Sequence, residues 1–280
     1  MKRRATGVLL ALLVALFALP VAALLLAALL PADAASAFID SGGLAFRHLT
    51  GLSLDQVRDV LADRQFRRMF ANSARIALCA LLPSLPISFL AGLLLARARL
   101  RGQRALHVLY ALALLLPFQT IMLPAYKISL WTNTYDSVLS VAALAAFSPL
   151  GPLVMAVLIS GIPDEQWEAA SLDANSLSRV LAHIVLPQVL PGTAALALIT
   201  FAEAWNMVEQ PLILLSAASG TQPLSLTLND IAKSSAGFGL AGAALYALPV
   251  LVIYGLAAAG IGWRMLRGRK AKNARPSQRP

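Results

Sequence analysis

Two groups of polar residues interrupt an otherwise apolar chain of 280 residues. The first is Glu168-Ala169-Ala170 with Asp173 and Ala174, followed by Ile184-Val185-Leu186-Pro187 and then Pro191. It forms a charged island of under thirty residues between two long apolar runs. Carboxylates beside small side chains suit a docking surface, because small residues let a second protein approach closely. The second group is Glu203, Trp205, Asn206, Glu209 and Gln210, which Gln119 could face. Glu203, Asn206 and Gln210 stand at i, i+3 and i+7, one face of a helix. Planar hydrogen-bonding side chains and an aromatic ring are the groups that bind sugars. The same residues could instead pair with one another or lie near the outer water boundary.

Other chemistries lack their parts. No glycine is followed by lysine, so there is no Walker A phosphate loop and this chain does not bind ATP that way. There is no G-x-S-x-G elbow and no H-E-x-x-H zinc helix. His48, His107 and His183 are far apart and lack metal-ligand spacing. Cys79 is the single cysteine, so no disulfide forms within the chain. The expected protein is not an enzyme and carries no cofactor or metal of its own.

The elements that position these residues follow from composition. The chain is 59% hydrophobic and 13% charged, about half the charge of a soluble domain, and its mean hydropathy is +0.73. The apolar residues come in blocks of about twenty, the length that crosses a hydrocarbon core. Six blocks stand out, at 8–30, 74–96, 105–126, 137–159, 192–215 and 240–265. The net charge of +10 sits at membrane-flanking positions, which argues against a nucleic-acid partner. Fifteen of the 23 Lys and Arg fall on one side of these spans, among them Arg97, Arg99, Arg101 and Arg104. The positive-inside rule then places both termini in the cytoplasm. The expected fold is all-α, a polytopic membrane protein of six transmembrane helices. Its parts are residues 1–73, a first helix plus an extracytoplasmic segment; 74–265, a five-helix core with a cytoplasmic loop at 160–190; and 266–280, a basic disordered tail. Residues 54–61 predict a short amphipathic helix on the outer surface.

The polar island itself reads as an elbow. Pro163-Asp164-Glu165 predicts a helix start, with acidic groups near the positive helix end. Asp173 is a candidate N-cap for a second helix. Leu177, Val180, Leu181, Ile184 and Val185 make an apolar stripe. Pro187 and Pro191 are expected to break that helix and turn the chain into the fifth span.

At this point the sequence resembles a known family. Glu168-Ala169-Ala170, Asp173, Ile184, Leu186-Pro187 and Pro191 are similar to the "EAA" loop of membrane subunits of bacterial ABC importers. Asn72-Ser73, Leu116-Pro117-Phe118-Gln119, Pro124-Ala125-Tyr126, Asn133-Thr134, Trp205-Asn206 and Pro211-Leu212 resemble the sugar-importer permeases, in the branch of the second membrane subunit of maltose-type systems. The resemblance covers about residues 60–265. It implies a permease in the bacterial plasma membrane. Its coupling helix sits in a cleft of a cytoplasmic ATPase dimer, which alone uses the ATP. It further implies a second homologous permease and an extracytoplasmic solute-binding protein. By position, Glu168, Ala169, Ala170 and Asp173 would be the docking residues. Where the family usually has glycine after the aspartate, this chain has Ala174. Alanine tolerates a left-handed backbone poorly, so either that turn is not left-handed or Asn175 takes the role. The competing reading is an ion-gradient-driven secondary transporter, with Glu203 and Glu209 as a carboxylate relay.

The opening residues Lys2-Arg3-Arg4, an apolar run and Ala32-Asp33-Ala34 also resemble a cleavable signal peptide. The run at 8–30 is longer than a signal's apolar region of about 7–15 residues, so an uncleaved first span is expected. N-terminal sequencing of the purified protein should therefore return the residues ahead of this run; a start near Ala35 would show a removed leader.

Overall fold

The computed structural model describes residues 2–42, 51–98, 101–173 and 176–273. All regular structure among them is helical. In chain order the helices are α1 (Lys2–Ala27), α2 (Ala32–Asp40), α3 (Asp55–Ala62), α4 (Arg64–Arg97), α5 (Gln103–Leu115), α6 (Phe118–Trp131), α7 (Val138–Ala146) and α8 (Leu150–Ser160). They continue with α9 (Asp164–Asp173), α10 (Leu177–Val180), α11 (Leu186–Trp205), α12 (Glu209–Leu214), α13 (Leu224–Ser234) and α14 (Ala236–Asn273). Among the described residues four helical stretches are long and apolar enough to cross a membrane: Arg64–Arg97, Val138–Ser160, Leu177–Trp205 and Ala236–Gly260. The bent pair α5 and α6 makes a fifth if read as one span, and Leu12–Ala27 is a shorter apolar helix.

Three expectations are corrected. The block at 105–126 is not one straight helix, because α5 and α6 meet at 97°. Proline disfavours the helical region for the residue before it. Leu116 duly takes ψ 120° and Pro117 ψ 143°, both extended. The apolar helical stretch expected at 192–215 instead runs over Leu177–Trp205. Pro187 and Pro191 do not break it; a π-helical turn at Leu181–Val185 precedes Pro187, which sits in the first turn of α11. In a regular helix the Pro187 ring would meet the His183 carbonyl. The wider i→i+5 turn takes up that room. Last, residues 266–273 of the expected disordered tail belong to α14.

The chain divides into two compact units, Met1–Phe66 with Leu228–Pro280, and Arg67–Thr227. In the first, α1, α2 and α3 pack on α14. Its core gathers Ala27, Leu30, Ala35 and Phe38, with Ala236 and Leu240 against them. The amphipathic helix expected at 54–61 is present as α3. Only Val60 of its stripe is fully buried, while Leu54 and Leu61 stay exposed.

In the second unit α8 packs on α5 and α11, and α12 packs on α6 and α7. Ser137 caps α7, its side chain accepting from the Ser140 N–H. Lipid tails are as apolar as leucine, so helix contacts here depend on van der Waals fit. Gly92 shows how close that fit is. A Cβ there would fall on Met155 Cβ and lie 2.9 Å from the backbone nitrogen of Ala156.

Polar ties hold the turn at 215–224. Asn72, 4% exposed, donates from Nδ2 to the carbonyls of Gly220 (2.9 Å) and Gln222 (3.1 Å). Ser73 Oγ accepts from the Leu224 N–H at 2.9 Å. Across from them Asp136, at φ +60°, accepts on Oδ1 from the Ser216 N–H (2.8 Å), Ser219 Oγ (2.7 Å) and Thr221 Oγ1 (3.1 Å). Burial pushes the Asp136 carboxyl up, but these donors outweigh it and hold it below the usual carboxylate value.

Two outcomes are expected. Gly92→Val forces backbone apart at the α4–α8 contact and should cost on the order of 3 kcal/mol in thermal melting of the detergent-purified protein. Asp136→Asn keeps a residue that tolerates the left-handed backbone, so it isolates the charge. The wild type should exceed it by about 1 kcal/mol at neutral pH. That advantage is full above the unfolded carboxylate value of about 3.9. It is lost as pH falls through the lower folded value, and melting across pH 2–7 (roughly that range) reads it.

Candidate functional site

The polar island folds as an elbow. Helix α9 starts at Asp164, with Asp164 and Glu165 in its first turn and the Pro163 carbonyl accepting from the Trp167 N–H at 3.3 Å. Glu168 and Ala169 are exposed on it. Ala170 and Asp173 also lie in α9. Asp173 is not the cap of the next helix, as expected; it closes α9, and Ser176 takes the N-cap position of α10. Ala174 and Asn175 lie outside the described residues.

The apolar side of the elbow sets its position. Ile159, Ile162, Val180, Val185 and Val189 form a buried cluster, with Phe89, Leu93, Trp167, Leu181 and Ile184 packed around it. Four of the five residues of the expected stripe point into this core; Leu177 is 62% exposed and does not. Pro187 is exposed at the start of α11.

One participant was read from sequence only as a topology signal. Arg97, in the last turn of α4, forms an ion pair with Asp164. It donates to the Ile162 carbonyl and, at 3.4 Å, to that of Ile159. Its guanidinium lies 4.9 Å from the centre of the Trp167 ring. An arginine at a span end looks like any other positive-inside residue, and Asp164 is 67 positions away. Nothing local in the sequence reveals the pairing.

The second polar group lines a cavity of about 1070 Å³, at the upper end of ordinary ligand pockets of about 300–1,000 Å³. Its walls come from α5, α6, α7, α11 and α12, with Ser140, Glu203, Asn206, Glu209 and Gln210 among its polar members. Glu203, Asn206 and Gln210 do not share one helix face, because α11 ends at Trp205. The turn at 206–208 and the new helix α12 bring them to the same cavity instead. Asn206 donates from Nδ2 to the Ala202 carbonyl at 2.9 Å, closing the end of α11. Gln119 does face the group: its Nε2 donates to both oxygens of Glu209, at 2.9 and 3.1 Å. Trp205 does not line the cavity. It is 2% exposed, stacked on Phe201 at 5.7 Å and edge-on to Phe70 at 5.3 Å. Its large apolar surface anchors the α11 terminus.

Among the described residues no three His, Cys, Asp or Glu are gathered to hold a metal ion. The geometry offers an exposed acidic helix on a buried core, and a cavity whose polar groups form neutral and anionic hydrogen-bonding partners.

Comparison with known proteins agrees with this architecture. The model of the family "binding-protein-dependent transport system inner membrane component" matches residues 84–259. The chain is 26% identical over 211 residues to the diacetylchitobiose uptake system permease protein DasC of Streptomyces coelicolor, covering 73% of this chain and 76% of that one. It is 28% identical over 190 residues to the arabinooligosaccharides transport system permease protein AraQ of Halalkalibacterium halodurans, covering 66% and 67%. Among solved structures, a chain of a bacterial ABC transporter involved in the import of the acidic polysaccharide alginate superposes with a TM-score of 0.74 at 18% identity. The overlap covers 92% of this chain and 97% of that one. With its elbow inside the matched region, the chain belongs to the binding-protein-dependent transport system inner membrane component family and is a multi-pass protein of the inner membrane.

Proposed function

We propose that this chain is one membrane-spanning permease of an ABC importer for a sugar or sugar-like solute. The energy comes from ATP hydrolysed on a separate cytoplasmic ATPase dimer that receives α9 and the elbow. A second homologous permease completes the path, and an extracytoplasmic binding protein delivers the solute. The spans number six, with both termini in the cytoplasm.

The observation that carries this reading is the elbow. Glu168 and Ala169 are exposed on a short helix whose other side is seated on a buried apolar core. A free linker has no need of such a base, whereas a lever does. Relatives named for diacetylchitobiose, arabinooligosaccharides and starch degradation products support a carbohydrate. So does the cavity, where Glu209, Asn206 and Gln210 offer planar donors and acceptors to hydroxyl groups, with Gln119 hydrogen-bonded to Glu209. Uptake is a conformational step here, with no covalent chemistry on this chain.

Glu168→Lys reverses a charge on the exposed face of α9 without touching the core. It should leave the protein inserted and reduce solute uptake by more than about tenfold, as expected for loss of a charged interface contact. Radiolabelled uptake in cells, read beside the amount of co-purified ATPase, measures this. Uptake unchanged by the substitution would remove the docking assignment. Uptake that survives ATP depletion but collapses with a proton uncoupler would favour an ion-driven carrier.

A further inference from the structure

We infer that Arg97 is a positioning residue that locks the docking helix α9 to α4 and α8, so that a push on α9 moves those two helices while the π turn at Leu181–Val185 yields toward α11. The inference rests on the importer reading above and assigns the route by which motion leaves the elbow.

Three helix ends converge on this one side chain. Arg97 closes α4. The Ile159 carbonyl it reaches is near the end of α8, and the Ile162 carbonyl lies in the link to α9. Asp164 and Trp167 belong to the first turn of α9. Arg97 is only 18% exposed on its side chain, whereas Asp164 is 81% exposed. The Arg97 side chain is therefore mostly covered, whereas Asp164 stands out toward solvent. A planar fork with five donors can address a carboxylate, two carbonyls and a ring together; a lysine ammonium cannot match that geometry. The Nε atom is buried without a hydrogen-bond partner. An unsatisfied buried donor costs stability, so the residue is placed for its contacts on α8 and α9 more than for its own solvation.

The other exit from the elbow is built differently. Between α10 and α11 the chain passes through the π turn, and Pro187 and Pro191 follow. Each proline removes one backbone donor from the ladder. A stretch with a widened turn and two missing hydrogen bonds bends more easily than a regular helix. Around it, Val180, Val185 and Val189 belong to an apolar core, whose contacts are non-directional. The connection through Arg97 is directional and charged; the connection through the π turn is apolar and compliant.

The test uses the complete transporter, purified and reconstituted in liposomes with its ATPase, second permease and binding protein. The quantity read is solute imported per ATP hydrolysed. Arg97→Gln should lower that ratio by at least about fivefold while co-purified ATPase stays within about twofold of wild type, the range of coupling changes seen along physical networks. Arg97→Lys should restore the ratio only in part. Trp167→Leu keeps the ion pair and should give a smaller loss, which provides a reading even if Arg97→Gln assembles poorly. Asp164→Asn combined with Arg97→Gln should be no worse than Arg97→Gln alone, as for two members of one contact. A ratio unchanged in Arg97→Gln and in Trp167→Leu overturns the inference. So does a loss that only follows a matching loss of assembled ATPase, since that is a structural role. If no ATPase joins the wild-type chain at all, the importer reading itself falls, and this inference with it.

Discussion

In hydrocarbon every backbone N–H and C=O must find its partner within the protein. That constraint shapes this chain most visibly where proline removes a donor. Pro83 and Pro86 are carried inside α4, and Pro249 inside α14, without ending either helix. At Leu116-Pro117 the helix gives way and the chain turns through 97°. Ahead of Pro187 it widens into a π turn and goes on. One residue type thus gives three outcomes, and two of them shape the cavity and the elbow. The bend at Pro117 sends α6 along the cavity wall, and the π turn links the elbow to α11.

Held together in this way, the second unit relies on two kinds of contact. Inside the membrane span, closeness replaces the hydrophobic effect: Gly92 lets the backbone at Met155 and Ala156 approach, and Gly151 leaves room for the Ser88 side chain. At the span ends, charged and amide side chains take over. Asn72, Asp136 and Arg97 each reach backbone carbonyls or N–H groups of a distant turn, where water no longer satisfies those groups fully. Helix α11 joins the two regions. With α10 and the π turn it forms a continuous stretch of 29 residues, about 43 Å at 1.5 Å per residue. Its beginning rests on the elbow core through Val185 and Val189. Its end presents Glu203 to the cavity.

Much of the candidate site was legible because its signals are local. The acidic start of α9 and the stripe of Val180, Leu181, Ile184 and Val185 depend on spacing within a few residues, and the structure shows both. The cavity group was legible as a list and wrong as a geometry. Glu203, Asn206 and Gln210 were spaced for one helix face, yet α11 stops at Trp205 and a turn gathers them by another route. Trp205 carries the same sequence signal as a sugar-stacking ring, but Phe70 and Phe201 enclose it. Helix ends were the least legible. Asp173 has the chemistry of an N-cap, and so has Ser176; which one starts α10 depends on where α9 ends.

Composition and periodicity alone determined that this protein is helical, crosses a membrane several times and carries a polar elbow on an apolar base. These properties depend on blocks of adjacent residues and on the solvent they require, so no partner needs to be known. Tertiary structure decided the rest. Arg97 with Asp164, Gln119 with Glu209 and Asp136 with Ser219 are 67, 90 and 83 positions apart. Which prolines are carried inside a helix and which mark a bend or a widened turn is visible only in the fold. A side chain's type states which bonds it is able to make, and only the folded chain brings the other half of each bond within reach.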